Sequence, residues 1–210
     1  MIKTENLTFQ YQKENKLFSF PDINLKAQEN LLILGKSGIG KTTFLHLLAG
    51  LLQPIQGNVT VAESNINKLS NNKLDQFRGK NIGLVFQKKH AITSLSVLKN
   101  IKARLFFSKT KVKDSDIDTI LNQLEIKTLK HRKVNELSEG QLQRLSIAMA
   151  VIHKPKIILA DEPTSSLDDD SCKIVIKLLK EQAKQAQANL IVITHDERIK
   201  HHFQNQITLS

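Results

Sequence analysis

The sequence predicts an α/β protein: a parallel sheet covered by helices, an antiparallel β region at the N-terminal end, and an inserted helical lobe. Three observations predict it. Short continuous apolar runs at residues 31–34, 157–160 and 190–194 have the length and composition of strands buried on both faces. Each run adjoins a segment of helical spacing, the alternation that builds parallel sheets. From about residue 88 to residue 154 this alternation stops and helical periodicity takes over.

Taken in order, residues 3–9 and 18–26 read as strands separated by a polar turn. After the run at 31–34 comes a glycine-rich turn. A helix is then expected over 41–52, with Phe44, Leu45, Leu48, Leu51 and Leu52 on one side and Gln53-Pro54 and Gly57 ending it. Residues 59–61 and 81–87 read as further strands. Residues 97–152 are mostly helical in pattern, with Ile117, Ile120, Leu121 and Leu124 at helical spacing. A long helix over 168–188 starts with acidic residues that suit its N-terminal dipole, and residues 206–209 read as a last strand. The 210 residues suffice for one domain with an insertion. The expected organisation is a single unit over 1–210, with a core at 1–87 and 155–210 and a helical lobe at 88–154.

The formal net charge of +11 favours anionic partners, but the lysines are spread along the chain, as on an ordinary solvated basic surface. The apolar runs fall far short of the roughly 20 residues a membrane helix needs. Residues 1–12 alternate polar and apolar side chains and have no continuous apolar stretch of an export segment. One cysteine, Cys172, excludes an intrachain disulfide and fits a reducing compartment. Any membrane role is therefore expected to come through a partner.

Gly35-Lys36-Ser37-Gly38-Ile39-Gly40-Lys41-Thr42, with Thr43 following, fits G-x-x-x-x-G-K-[ST]. Glycines let the backbone wrap around phosphates so that N–H groups face the oxygens, and the following helix presents its N-terminus to an anion. Lys41 supplies a point charge for the β- and γ-phosphates, and the Thr42 hydroxyl can ligate Mg²⁺. Further on, the apolar run at 157–160 ends in two carboxylates. Asp161 can hold Mg²⁺ through its water shell, and Glu162 can polarise an attacking water as general base. Leu137-Ser138-Glu139-Gly140-Gln141 opens a strongly periodic helix. Ser138 and Gln141 also fit an S-x-x-Q capping box, so by itself this segment reads equally well as a capped helix start.

Together these segments resemble an ATP-binding-cassette (ABC) transporter ATPase from near Ile2 to near Phe203. The phosphate loop, the LSEGQ segment and the acidic pair fall in that family's order and spacing. The resemblance implies a P-loop NTPase (RecA-like) core with ATP and Mg²⁺ as its ligands. By the same resemblance Tyr11 is the aromatic that stacks on adenine. Gln87 is the glutamine that joins core and helical lobe and reaches the metal. Ser165-Ser166-Leu167-Asp168 is the D-loop, and His195 is the switch histidine. Ser138, Gly140 and Gln141 would meet the γ-phosphate of an ATP held by a second subunit. LSGGQ is usual where this chain has LSEGQ, so Glu139 adds a carboxylate beside that anion and is expected to face solvent or another subunit.

In this family two cassettes close head to tail on ATP, so a homodimer and separate integral membrane permease subunits are implied partners. Within the family, QFRGKNIGLVFQ at residues 76–87 resembles the lipoprotein-release, macrolide-export and cell-division ATPases. The segment from about Lys88 to Leu98 would then line the groove that receives the permease. Lys99-Asn100-Ile101 and Thr93 depart from that group's usual E-N-V triplet and proline, which leaves the cargo open. The implied location is cytoplasmic, on the inner face of the cytoplasmic membrane. Direct nucleic-acid binding is not expected: one cassette without a long coiled coil between its motifs differs from the translation and repair types. The other reading kept is a non-transport ATPase of a mechanotransmission or cell-division complex or, behind these, a nucleic-acid-linked cassette.

Overall fold

The structure is a computed structural model that describes residues 1–12, 16–88, 90–165 and 167–210. The elements run β1 (Ile2–Gln10), β2 (Leu17–Ser19), β3 (Asn24–Leu25), β4 (Asn30–Leu34), α1 (Lys41–Leu48), β5 (Gln56–Val61) and β6 (Ser64–Asn65). They continue through α2 (Asn71–Asn81), β7 (Ile82–Val85), α3 (Val97–Ser108), α4 (Asp114–Gln123) and α5 (Glu139–Val151). The chain closes with β8 (Ile157–Asp161), α6 (Asp169–Ala186), β9 (Asn189–Thr194) and β10 (Asn205–Thr208).

Among the described residues the strands form two sheets. One is antiparallel, ordered β2-β1-β5-β6 with β3 also on β1. The other is ordered β10-β4-β9-β8-β7, and every pairing in it is parallel. Side-chain alternation makes the parallel sheet a wall between two cores. Leu32, Leu34, Ile158, Ala160, Leu190 and Val192 face a core shared with α3 to α6. Leu31, Ile33, Ile157, Leu159, Ile191 and Ile193 face the core shared with α1 and the antiparallel sheet. Burial on both faces is why these strands read as unbroken apolar runs.

Local details differ from the expected elements for identifiable reasons. The strand expected over 18–26 is two short pieces, because Pro21 offers no N–H to the ladder. The buried Thr4 side chain substitutes there: its hydroxyl donates to Pro21 O at 3.3 Å and accepts from Ile23 N at 2.8 Å. The helix expected to reach residue 52 stops at Leu48. Gly50 adopts φ 65, and Leu51 N closes back on His46 O at 2.8 Å, so the chain turns well before Pro54. Helix α2 had no sequence signal, since NNKLDQFRGKN buries one residue, Leu74. The last helix matches within two residues, and the Asp168 side chain caps it by accepting from Asp170 N and Ser171 N.

Strand β7 packs directly on α5. A Cβ at Gly83 would lie 2.2 Å from Ala150 O, a backbone atom that cannot move aside alone. At Gly140, in the first turn of the same helix, a Cβ would meet nothing within 4 Å. G83A is therefore expected to lose about 3 kcal/mol of stability by overpacking, whereas G140A changes it by less than about 0.5 kcal/mol. Urea unfolding of the two variants checks this, and equal midpoints would contradict the packing described.

Candidate active site

The cleft forms where the parallel sheet delivers three strand ends. β4 runs into the loop 35–40, β8 ends in Asp161, and β9 ends in Thr194 just before His195. In register Leu34 lies beside Thr194, and Asp161 beside Ile193, so groups 119 residues apart in sequence meet at one edge. Ligand sites collect at the carboxyl ends of parallel strands for this reason.

The loop itself is held by backbone geometry. Gly40 has φ 107 as N-cap of α1, and a Cβ there would stand 2.7 Å from the Phe18 ring. Phe18 also lies edge-on to Tyr11, with ring centroids 6.2 Å apart. The Lys41 ammonium is buried beneath the loop. It donates to Gly35 O at 2.8 Å and to Lys36 O at 3.1 Å, and pairs with Glu162 Oε1 at 3.3 Å. Thr42 Oγ1 donates to Asp161 Oδ2 at 2.9 Å. The sequence-predicted Lys41, Thr42, Asp161 and Glu162 thus meet as two adjacent pairs, in which Lys41, Asp161 and Glu162 are buried and Thr42 is exposed.

Glu162 has φ 45, a left-handed conformation that aims its carboxylate back under the loop. Oε2 accepts from the Thr194 hydroxyl at 2.6 Å, and Oε1 from His195 Nδ1 at 2.9 Å. Burial pushes the Glu162 carboxyl up, but the Thr194 hydroxyl, the His195 ring and the Lys41 charge outweigh it and hold it below its ordinary value. Asp161 goes the other way. Burial raises it, the Thr42 hydroxyl offsets part of that, and the neighbouring Glu162 charge adds to the rise. One Asp161 oxygen, Oδ1, is buried without a hydrogen-bond partner. A buried carboxylate with an orphaned oxygen beside a hydroxyl is a donor set that fits a hard divalent cation.

A cleft of about 340 Å³ is lined by Tyr11, Ser37, Gly38, Gly40, Lys41, Thr42, Thr43, Gln87, Glu162 and His195, together with Phe18. Gly35, Lys36 and Ile39 belong to the same loop, and the Tyr11 hydroxyl bonds Thr43 Oγ1 at 2.9 Å. Gln87 is exposed at its rim just after β7. Ser138, Gly140 and Gln141 do not line this cleft. They open α5 with the capping box in place: Gln141 N donates to Ser138 Oγ at 3.3 Å, and Ser138 N to Gln141 Oε1 at 3.0 Å. Glu139 is exposed in the first turn of α5. Ser166, in the segment expected to be the D-loop, lies outside the described residues.

Sequence reasoning missed several supporting residues. Thr194 anchors Glu162, and its hydroxyl also accepts from Asp196 N at 2.9 Å. Asp196 accepts from Thr164 Oγ1 and from Arg198, and the Arg198 guanidinium beside it pulls its carboxyl down to about 2. Gln143 Nε2 donates to Pro163 O at 3.2 Å, tying α5 to the segment that follows the acidic pair. Thr194 was visible as the residue before His195. The others carry no local pattern.

The raised Asp161 carboxyl has a sign that can be tested. A buried acid raised in the fold favours folding while protonated and disfavours it as pH rises through the carboxylate range. Without nucleotide or metal, D161N is expected to melt above wild type at pH 7.5, and the gap is expected to close as pH falls toward about 4. Calorimetry across that range decides it; D161N melting below wild type at pH 7.5 would contradict the assignment.

Comparison with known proteins agrees with this geometry. A family model for ABC transporters matches residues 20–165. The lipoprotein-releasing system ATP-binding protein LolD of Legionella pneumophila (strain Lens) is 36% identical over 181 residues, covering 85% of this chain and 79% of that protein. The uncharacterised ABC transporter ATP-binding protein YvcR of Bacillus subtilis (strain 168) is 34% identical over 203 residues, covering 93% and 78%. Among solved structures, the dimeric ATP-binding cassette MJ0796, in a post-hydrolysis state bound to ADP and phosphate, aligns with a TM-score of 0.89 at 30% identity. That alignment covers 100% of this chain and 94% of that one. The chain belongs to the ABC transporter family and is an ATP-binding ATPase subunit of it.

Proposed function

We propose that the protein hydrolyses ATP in a cleft shared between two copies and uses the closure to drive a separate membrane permease, of the lipoprotein-release or macrolide-export type. The single observation that carries this is the buried Lys41, Asp161 and Glu162, with Thr42 bonded to Asp161, while Ser138 and Gly140 lie outside their cleft. LolD relatives at 32–37% identity favour the lipoprotein-release group.

The loop from Gly35 to Thr43 would wrap the phosphates, and Tyr11 would face the adenine. Lys41 would exchange Glu162 and the two carbonyls for phosphate oxygens. Glu162, held ionised and freed of Lys41, would take the proton from water as its oxygen attacks the γ-phosphorus and the bond to ADP breaks. His195, which now donates to Glu162 from Nδ1, has an exposed ring that can turn to the γ-phosphate. Thr42, Asp161 and, from the rim, Gln87 would hold Mg²⁺, which supplies charge stabilisation to the phosphates when bound. A second copy would bring Ser138, Gly140 and Gln141, with the Ser138 O–H still able to donate because its oxygen serves the cap as acceptor.

The core at 1–87 and 155–210 and the helical lobe at 88–154 would shift against each other, with Gln87 at the joint. A groove of about 260 Å³ lies at that joint, lined by Leu51, Leu84, Phe86, His90, Ala91 and Arg104 among others. His90 and Ala91 come from the segment expected to meet the permease; Lys89 lies outside the described residues. Among the described residues no helix is long and apolar enough to cross a membrane. Residence on the inner face of the cytoplasmic membrane would therefore rest on the permease.

E162Q is expected to bind ATP, to lose hydrolysis by roughly 10²- to 10⁴-fold, and to run as a dimer in ATP by light scattering. G140A, folded as stably as wild type, is expected to bind ATP but not to form that dimer. Normal turnover by E162Q would remove Glu162 from the reaction.

A further inference from the structure

Helix α3 buries Val97, Ile101 and Leu105 on one side. At its C-terminal end it presents two large aromatics to solvent instead. Phe106 and Phe107 are each 77% exposed, and their rings sit edge to face with centroids 5.5 Å apart. Scattered apolar side chains on a surface are ordinary, but an adjacent exposed aromatic pair is a patch with a use.

The surroundings say which use. Lys109 ends the helix with φ 54, and Lys111 and Lys113 follow, all exposed. Lys80 of α2 lines one hollow together with Phe107 and Lys109. None of these four lysines pairs with a carboxylate within salt-bridge distance among the described residues. Of the nearby acids, Asp75, in the same hollow, pairs with Arg78, and Asp114 with Lys102 at 3.2 Å, which among the described residues leaves Asp116 in the first turn of α4 as the acid outside any ion pair. Aromatic rings among uncompensated lysines are the composition of segments that lie in a membrane interface, rings at headgroup depth and ammonium groups on phosphates. Phe106 and Phe107 stand edge to face, with ring planes 78° apart, and so offer no parallel faces on which successive bases of a nucleic acid would stack.

Position agrees. Arg104, one turn earlier on α3, lines the groove proposed for the permease, and it hydrogen-bonds α2 through Gly79 O. The patch is therefore on the same α2–α3 seam as that groove. A permease seated in the groove would hold this end of α3 toward the bilayer. We infer that Phe106 and Phe107, with Lys80, Lys109, Lys111 and Lys113, form a direct contact with an anionic lipid surface beside the permease. This rests on the permease reading only for orientation.

The test uses the full chain and vesicles without permease, so either reading can fail alone. Wild type should cosediment with vesicles of equal phosphatidylglycerol and phosphatidylcholine about tenfold more than with phosphatidylcholine alone. F106S/F107S and, separately, K109S/K111S/K113S should lose most of that difference while the ATPase rate of the soluble protein is unchanged. The chain has no tryptophan, so F107W gives a single reporter whose emission should shift to the blue on anionic vesicles. Equal sedimentation of wild type and F106S/F107S would overturn the inference, because the charge spread over the surface would then suffice. Absence of vesicle binding by wild type, or an F107W emission that stays at its aqueous wavelength, would overturn it equally; permease association lost in F106S/F107S without any vesicle binding would assign the patch to protein.

Discussion

The contact between Lys41 and Glu162 is the one on which the cleft depends. Their side chains are only 7% and 8% exposed, so each charge needs the other. Removing one member of such a pair costs about 3–5 kcal/mol, since a buried charge is left behind. The pair joins the loop after β4 to the end of β8, and β9 between them supplies Thr194 and His195 to the same carboxylate. Three strands are thereby fixed at one edge by a single acid. The arrangement also stores a task for the nucleotide. A phosphate that drew Lys41 away would release Glu162 from it while the Thr194 hydroxyl still donated to Oε2, so binding and the freeing of the proposed base would be one event.

Beside it the Thr42–Asp161 contact is incomplete. Asp161 keeps one oxygen buried and unpartnered, and its carboxyl is raised by that burial. The two acids of one motif are thus driven apart: Thr194, His195 and Lys41 hold the Glu162 carboxyl below its ordinary value, while burial holds that of Asp161 above it. Environments that separate two neighbouring carboxylates in this way assign them different roles.

Much of this was legible in the residues. The loop from Gly35 to Thr42, the acids ending β8 and the apolar runs of the parallel sheet carry local patterns that survive without knowledge of the fold. Gln87 and His195 became readable only through family spacing. What stayed hidden was made by contacts distant in sequence or by compensation for a missing donor. Thr4 replacing the ladder at Pro21, Gln143 holding Pro163 O and Asp196 fastening Thr164 leave no periodic signal. Helix α2 was missed because its faces are nearly all polar, and the end of α1 because Gly50 acts before the more conspicuous Pro54. Ser138 and Gln141 cap α5 here, as the capping-box reading expects, and they lie away from the cleft formed by their own chain.

On the proposed reading the chain builds half of a site. Its phosphate loop and acids are preorganised by buried contacts, while its signature helix presents a glycine that internal packing does not require. Mixing two inactive variants tests this directly. K41A removes the phosphate contact, and G140D obstructs the signature, so neither homodimer has an intact site. An equimolar mixture has one intact site in each mixed dimer, and it should hydrolyse ATP where the separate variants do not. If G140D alone hydrolysed ATP at the wild-type rate, the half-site account would be wrong, because the cleft of one chain would then suffice.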